Sequence, residues 1–209
     1  MCMEENWRVE FLPIRVAEIF PDLIEYDAAK CSIRKVKNEN FRRLRKLEEI
    51  SLWKNQIDEI EGNSFDDQTE LKRLSLNKNQ IKELNENWFR YLNKLWDLSL
   101  NDNQLTSLPS NIFENLFNLE RISLTQNQLT ALTDHHFQSN KKLKDISLDW
   151  NKITSLSSSM FDHIETLRYV NLRENRCIDR EYGHLHLADR AFQTVRNQFK
   201  SDVTARCSN

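Results

Sequence analysis

Five serines at one fixed spacing are the residues of this chain whose side chains could most readily suggest catalysis. They recur with a 24-residue period, at Ser51, Ser75, Ser99, Ser123 and Ser147. A serine hydroxyl becomes a nucleophile only when a base such as histidine removes its proton. No histidine recurs at a matching position, and the chain has no Gly-x-Ser-x-Gly sequence. We therefore predict that these serines are structural and that the protein is not an enzyme.

The histidines offer one possible metal site near the carboxyl terminus. His184 and His186 lie close in sequence to Glu181 and Asp189. Zinc sites usually show a helical histidine pair or a cysteine-rich ligand set, and the chain has neither. It also has only two glycines, too few for a loop that cradles phosphates. We expect no metal and no cofactor.

An asparagine recurs with the same 24-residue period and fixes the organisation of the chain. The six copies are Asn55, Asn79, Asn103, Asn127, Asn151 and Asn175. Each lies in the same apolar frame, which around the third copy reads Leu95, Leu98, Leu100, Asn103, Leu105, Leu108 and Phe113. Counting back one period from the first asparagine reaches Cys31, in a degenerate repeat. Such self-similarity is the signature of a solenoid in which stacked coils share one core.

The pattern resembles the leucine-rich repeat family, in the 24-residue form typical of animal extracellular proteins, from Leu23 to about Cys177. The resemblance implies an α/β solenoid with a curved parallel β-sheet on the concave face and irregular or short helical convex arcs. We expect each asparagine amide to satisfy buried backbone groups. The phenylalanines from Phe41 to Phe161 should form a column that fills the outer arc.

Both ends of the array carry cysteines and are predicted to be caps. One domain, residues 1–209, is expected, with an N-terminal cap over 1–22, repeats over 23–174 and a C-terminal cap over 175–209. Cys31 and Cys177 are six repeats apart and too distant to bridge, because neighbouring strands are roughly 4.8 Å apart. We expect the disulfides Cys2–Cys31 and Cys177–Cys207.

Apolar spacing predicts the structure of each cap. The alternation Trp7, Val9, Phe11 and then Ile14, Val16 predicts one or two strands at the sheet edge. The set Ala188, Ala191, Phe192, Val195 and Phe199 has helical spacing and predicts a helix over the last coil.

Disulfides imply an oxidising compartment, so we predict a secreted protein; four reduced cysteines in a cytosolic protein are the alternative. The start Met1-Cys2-Met3-Glu4 lacks the basic and apolar parts of a signal peptide. We expect that it replaces a removed signal. No apolar run is long enough to predict a membrane span. The sequence from Asn175 to Ile178 is similar to insect secreted members of the family.

Strand residues alternate between the two faces of a sheet, so positions two, four and six before each asparagine should line the concave surface. Six before the asparagine, the charges of Glu49, Arg73, Asp97, Arg121 and Asp145 alternate. We expect these neighbours to pair, with little net stabilisation.

Tryptophan, tyrosine and arginine dominate binding energy at protein interfaces, which makes the exceptions to these columns informative. The predicted ligand-binding residues are Trp53, Asn77, Asn101, Arg121, Asp149, Trp150, Tyr169 and Arg173. Either of the two tryptophans could instead fold over a neighbouring strand. Trp88 and Trp96 are expected to pack.

The leading hypothesis, implied by the resemblance to insect immune proteins, is a secreted module whose concave face binds a protein or pathogen-derived ligand in innate immunity. A structural scaffold or receptor ectodomain piece acting by self-association is the runner-up, and the sequence leaves the oligomeric state open. A third possibility is a polyanion, because basic residues crowd the first repeat. They are Arg34, Lys35, Lys37, Arg42, Arg43, Arg45 and Lys46.

Overall fold

The computed structural model describes residues 10–183 and 191–207. Its largest element is an eight-stranded sheet in which every repeat contributes one short strand. In sheet order the strands are β1 (Glu25–Asp27), β3 (Glu49–Ser51), β5 (Arg73–Ser75), β6 (Asp97–Ser99), β7 (Arg121–Ser123), β9 (Asp145–Ser147), β11 (Tyr169–Asn171) and β12 (Glu181–Gly183). All neighbours are parallel except β11 and β12. The parallel-sheet solenoid expected from the period is confirmed.

The outer arcs hold smaller elements. Two strand pairs are parallel, β2 (Lys35–Val36) with β4 (Glu59–Ile60) and β8 (Ala131–Leu132) with β10 (Ser155–Leu156). Short helices occupy other arcs: α1 (Val16–Ile19), α2 (Asn38–Phe41) and a 3₁₀ turn (Asp134–Phe137). The C-terminal helix, α3, spans Ala191–Arg206. Within the described residues, no helix combines the length and hydrophobicity needed to cross a membrane.

The register of the sheet follows the 24-residue period. Leu98 of β6 pairs with Ile122 of β7, and Ser99 pairs with Ser123. In each strand the central side chain is buried while its two neighbours face the concave side. A one-residue slip would expose every buried side chain, so an uninterrupted period is what keeps the core continuous.

The recurring asparagines join successive coils, as predicted. Asn103 Nδ2 donates to the carbonyls of Leu76, 3.0 Å, and Leu100, 3.1 Å, while its Oδ1 accepts the N–H of Ile81 at 3.1 Å. The other five asparagines repeat this pattern with their own neighbours. Each amide therefore satisfies three backbone groups that water cannot reach.

The phenylalanine column is continuous with both caps. The Phe113 ring lies 6.3 Å from Phe89 and 5.7 Å from Phe137, centroid to centroid. Phe199 of α3 extends the column, with its ring centroid 4.8 Å from that of Phe161. At the other end Tyr26 contacts Phe41 at 5.2 Å. The prediction of a helix over the last coil is confirmed, although Ala188 lies outside the described residues.

The cysteine predictions have a partial outcome. Cys177 and Cys207 form the expected disulfide. Cys31 is also disulfide-bonded, but its expected partner, Cys2, lies outside the described residues.

The expected N-terminal strands have a different outcome. Phe11 makes a single parallel bridge to Lys35, and Trp7 and Val9 lie outside the described residues. The second expected strand is wrong, because Ile14 lies in a bend and Val16 begins α1. Arg15, in the left-handed region with φ 62°, separates the two segments and ends any extended run.

Candidate functional site: the concave face

The charged column across the concave face forms pairs, as its alternating signs predict. Arg73 bonds to Glu49, and the Arg121 guanidinium lies 2.8 Å from Asp97. Asp145, the last acid of the column, has a raised pKa because burial disfavours its charge, an effect that Arg121 opposes. All four paired side chains keep contact with water, so each pair adds at most about 1 kcal/mol. The column sets register and leaves little charge for a ligand.

The serine column is also structural in its surroundings. Ser51, Ser75, Ser99, Ser123 and Ser147 are half-buried at the ends of their strands. In the described part of the chain, no hydrogen bond joins one of them to a histidine. Without a base, the hydroxyls lack what nucleophilic catalysis requires.

Trp53 and Trp150 occupy different positions in the repeat. Trp53 lies two residues before its asparagine and is half-buried, and the Nζ atom of Lys30 lies 4.6 Å from its ring centroid. Trp150 lies one residue before Asn151, beyond the end of β9, and 56% of its surface is exposed. The two tryptophans are about four strand spacings apart, or roughly 19 Å, so they belong to separate surfaces.

The backbone at Trp150 is in the left-handed region. Its φ is 55°, and the residues one before the other asparagines share this conformation with φ between 53° and 56°. Side chains other than glycine, asparagine and aspartate adopt it at a cost of about 1–2 kcal/mol. Polar residues fill most copies of the column, for example Lys78, Asp102 and Gln126. A bulky, exposed tryptophan there is unfavourable for the fold, which makes it a candidate for function.

Three other predicted site residues lie on the same two repeats as Trp150. Asp149 accepts a hydrogen bond from Thr125 Oγ1 at 2.7 Å, and the Arg173 side chain is exposed. Tyr169 Oη donates to Glu181 Oε2 at 2.9 Å. Burial and that hydrogen bond raise the pKa of Tyr169 to about 12. This C-terminal group, Asp149, Trp150, Tyr169 and Arg173, combines an exposed aromatic with both charges.

The remaining predicted residues lie apart from the C-terminal group. Ser75 Oγ donates to Asn77 at 2.5 Å, and Asn101 Nδ2 donates to Asp102 at 2.6 Å. The Arg121 guanidinium, besides its bond to Asp97, lies 4.7 Å from the ring centroid of Trp96. Four of the eight predicted residues therefore lie on the last two repeats, and the other four lie one on each of the four preceding repeats, where they contact their own neighbours.

The basic cluster of the first repeat is largely neutralised by acids of adjacent segments. Its ion pairs are Arg34 with Asp58, Lys35 with Glu59, Arg45 with Asp67 and Lys46 with Asp22. The hydrogen bond to Glu59 raises the pKa of Lys35. Lys37, Arg42 and Arg43 are exposed. A polyanion would have to displace four partners, so the polyanion hypothesis loses much of its support.

The histidines and the other tryptophans have structural surroundings where they are described. Trp88 is buried and donates from Nε1 to the carbonyl of Ile60 at 3.2 Å, so its packing role is confirmed. His136 is buried, with Nε2 3.2 Å from the carbonyl of Leu108. His184 and His186 lie outside the described residues. Residues 10–183 and 191–207 contain no group of acids, cysteines and histidines placed to hold a metal ion.

Sequence reasoning missed two features of this surface. The left-handed column before each asparagine carries no glycine that would have indicated it. Trp96 was expected to pack; it is half-buried, and its contact with Arg121 on the concave face was not expected. Its column, seven before the asparagine, reads Glu48, Lys72, Trp96, Glu120, Lys144. Trp96 is the one aromatic residue among these four charged residues, and this exception could have indicated its position from the sequence.

A family model described as leucine rich repeat matches residues 45–105, 69–129 and 117–176. Many solved structures are similar to the chain, and three of them are described here. The APL1 leucine-rich repeat domain matches with a TM-score of 0.71 at 24% identity, over 81% of this chain and 44% of that one. The LRIM1/APL1C complex matches with a TM-score of 0.66 at 29% identity, over 70% of this chain and 27% of that one.

The third is the TLR13–ssRNA13 complex, with a TM-score of 0.76 at 26% identity, over 81% of this chain and 24% of that one. This chain therefore spans less than half the length of each of these structures. APL1 and LRIM1 are insect leucine-rich repeat proteins, in agreement with the resemblance noted in the sequence. No curated protein sequence matches the chain.

Proposed function

Because the chain belongs to the leucine-rich repeat family, we propose that it is a secreted recognition module that binds a protein or pathogen-derived ligand through its concave face. The exposure of Trp150 beside Asp149, Tyr169 and Arg173 carries this proposal. Aromatic and arginine side chains contribute most of the binding energy at protein interfaces. The similarity to a complex of two insect family members supports a protein ligand and an immune setting.

Two further observations support a secreted binding protein. The Cys177–Cys207 disulfide fits an oxidising environment outside the cell. The concave serines lack a base in the described structure, which fits a binding role better than catalysis. We propose that residues 1–209 form one such domain, with its two caps closing the ends of the repeats.

The test is capture of ligand from extracellular fluid by immobilised protein, followed by measurement of affinity for the captured species. Trp150→Ala should weaken binding at least tenfold, which corresponds to about 1.4 kcal/mol. Arg173→Ala should weaken it by a smaller factor, because its exposed charge retains water contacts. A ligand bound equally by the wild type and both variants would place binding elsewhere.

A matched control is available on another surface. Phe117 is an aromatic of similar exposure, 54%, in the segment that precedes β7 rather than on the concave face. Phe117→Ala should leave affinity within about twofold. Loss of binding in this variant but not in Trp150→Ala would move the interface to the outer side of the solenoid.

Self-association is a second candidate function, and one observation favours it. The N-terminal end exposes five large apolar side chains over a short segment: Phe11, Ile14, Ile19, Phe20 and Ile24. Contiguous exposed apolar surface often marks an interface. Light scattering over a concentration series should then show a dimer that Ile19→Asp converts to a monomer. A monomer at the highest concentration would remove this candidate.

A further inference from the structure

Two columns of side chains run across the repeats at the amino-terminal ends of the strands. They lie seven and nine residues before each asparagine. The first column is Glu48, Lys72, Trp96, Glu120 and Lys144, and the second is Lys46, Glu70, Lys94, Asn118 and Lys142. This edge lies opposite the one that carries Trp150, which follows the carboxyl end of β9.

Most members of the two columns bond to the neighbouring repeat. In the first column Lys72 bonds to Glu48 at 2.8 Å, and Lys144 bonds to Glu120 at 2.6 Å. In the second column Lys94 bonds to Glu70 and Lys142 to Asn118, each at 2.6 Å. Among the described residues, neither column has a bond between side chains of the third and fourth repeats. Both ladders are therefore interrupted at the same place.

Trp96 occupies the interruption. Its ring is half-buried and lines an open hollow of about 530 Å³ together with Lys72, Lys94, Asn118, Glu120 and Lys142. The Arg121 guanidinium, 4.7 Å from the ring centroid, holds the indole in place by a cation–π contact. Arg121 is itself fixed by Asp97 at 2.8 Å.

The polar rim of the hollow carries three lysines, one acid and one amide, so it has both kinds of hydrogen-bonding group. Lys142 donates to Asn118 and Lys144 donates to Glu120, each at 2.6 Å, while Asn118 Nδ2 donates to the carbonyl of Asn93 at 2.7 Å. An ammonium, a carboxylate and a primary amide can each make several hydrogen bonds, so these groups keep further capacity. Because Glu48 and Glu70 pair with Lys72 and Lys94, and Lys144 pairs with Glu120, Lys142 is the lining charge whose partner is neutral, and an anionic ligand would gain little here. The rim favours a neutral ligand rich in hydroxyl groups.

We propose that this hollow is a saccharide site, in which a neutral pyranose ring stacks on Trp96 and its hydroxyls bond to Lys94, Asn118 and Glu120. A pyranose has one face of C–H groups, which fits a flat indole, and a rim of hydroxyls that donate and accept. An extended peptide would need unpaired backbone groups, and the nearest ones are occupied: Trp96 N bonds to Lys72 O at 3.0 Å, and Trp96 O accepts from Glu120 N at 2.9 Å.

This site is independent of the proposed concave-face function, because it lies on the opposite edge and shares only Arg121 with the predicted ligand-binding residues. A protein bound at Trp150 and a glycan bound at Trp96 would occupy the two edges of one sheet. Binding at Trp96 can therefore be measured directly, without any protein ligand.

The test is an NMR titration of ¹⁵N-labelled protein, whose five tryptophans give separate indole N–H signals. The probes are neutral trisaccharides of glucose, mannose and N-acetylglucosamine. The Trp96 signal, assigned by its loss in Trp96→Phe, should shift saturably with at least one of them at a Kd of about 1 mM or tighter. Absence of any Trp96 shift up to about 10 mM of every probe would overturn the proposal.

Variants and a charged probe distinguish the site from weaker explanations. Asn118→Ala, on the exposed rim, should weaken binding at least threefold without unfolding the protein, and Trp96→Ala should abolish it. Trp150→Ala is the matched control and should leave the titration unchanged. A Trp96 shift produced only by a heparin tetrasaccharide, or one that Trp150→Ala removes, would contradict a neutral saccharide site at this edge.

Discussion

The two ends of the concave sheet each carry one tryptophan, and the two differ in burial and in backbone conformation. Trp53 is half-buried and contacts Lys30, so its ring serves packing as well as any ligand. Trp150 is exposed on a left-handed residue whose conformation disfavours it. A side chain that the fold does not need is better evidence for binding than one that the fold uses. We therefore propose the C-terminal end as the recognition surface.

The middle of the sheet supports the same conclusion by contrast. Glu49 pairs with Arg73 across β3 and β5, and Asp97 pairs with Arg121 across β6 and β7. These paired charges would have to be separated before a ligand could use them. At the C-terminal end, Arg173 is exposed and Tyr169 is held by Glu181. We therefore propose that a ligand binds at the C-terminal end, where Trp150 and Arg173 are exposed, rather than at the paired charges in the middle of the sheet.

The largest expected effect concerns the cap on which the C-terminal end depends. Phe199 is buried, with its ring centroid 4.8 Å from Phe161 and 5.7 Å from Tyr182. Phe199→Ala should lower the free energy of unfolding by about 3–5 kcal/mol, because it leaves a cavity between the helix and the last coil. Urea denaturation followed by circular dichroism measures this value.

The control for the cap is Phe117→Ala, which removes an exposed ring and should change the free energy of unfolding by less than about 0.5 kcal/mol. If Phe199→Ala cost no more than this control, the helix would contribute little to stability. The C-terminal end of the sheet would then not depend on the helix for its stability.

The next effect separates the two tryptophans by stability. Trp53→Ala should lower the free energy of unfolding by about 1–2 kcal/mol, because the ring is half-buried and contacts Lys30. Trp150→Ala should change it by less than about 0.5 kcal/mol, since its ring is mostly in water. Thermal or urea unfolding of both variants checks the difference. Equal losses of stability in the two variants would show that Trp150 contributes to the fold as much as Trp53 does.

A third substitution tests whether Trp150 is kept at the expense of stability. Glycine adopts the left-handed conformation without strain, so Trp150→Gly should raise the free energy of unfolding by up to about 1 kcal/mol while it weakens ligand binding. Gln126→Gly is the matched control, since Gln126 has φ 53° in the same column. It should give the same gain in stability with no loss of affinity. A loss of stability in both variants would show that the column is not strained.

The fold was predictable from the sequence because a 24-residue period determines which residues are buried. Asn103 and Phe113 needed no more than their columns to be assigned. The candidate site was less predictable, because exposure depends on geometry that the period does not report. Trp53 and Trp150 both lie past the end of a strand, yet of the two it is Trp150 that has a left-handed backbone and a mostly exposed ring. The N-terminal cap broke the period, and there the expected strand through Val16 was wrong.

The smallest expected effect is at Tyr169, which closes the C-terminal end of the sheet through Glu181 on β12. Tyr169→Phe should lower the free energy of unfolding at pH 8 by about 0.5 kcal/mol, because the hydrogen bond is half-exposed. The pKa of Tyr169 is raised to about 12 from the usual 10.0. Its contribution is therefore fully present below pH 10 and is lost as the pH rises through 12, since the unfolded chain releases the proton first.

The wild type should consequently lose more stability than Tyr169→Phe between pH 10 and pH 12. Comparing the two proteins is necessary because burial also raises the pKa of Tyr26 to about 12, and that contribution cancels in the difference. Urea unfolding at pH 8, 10 and 11, with absorbance at the phenolate band, provides the measurement. Parallel pH profiles for the two proteins would mean that Tyr169 ionises freely, and that the edge at Glu181 is open to a ligand rather than closed by this bond.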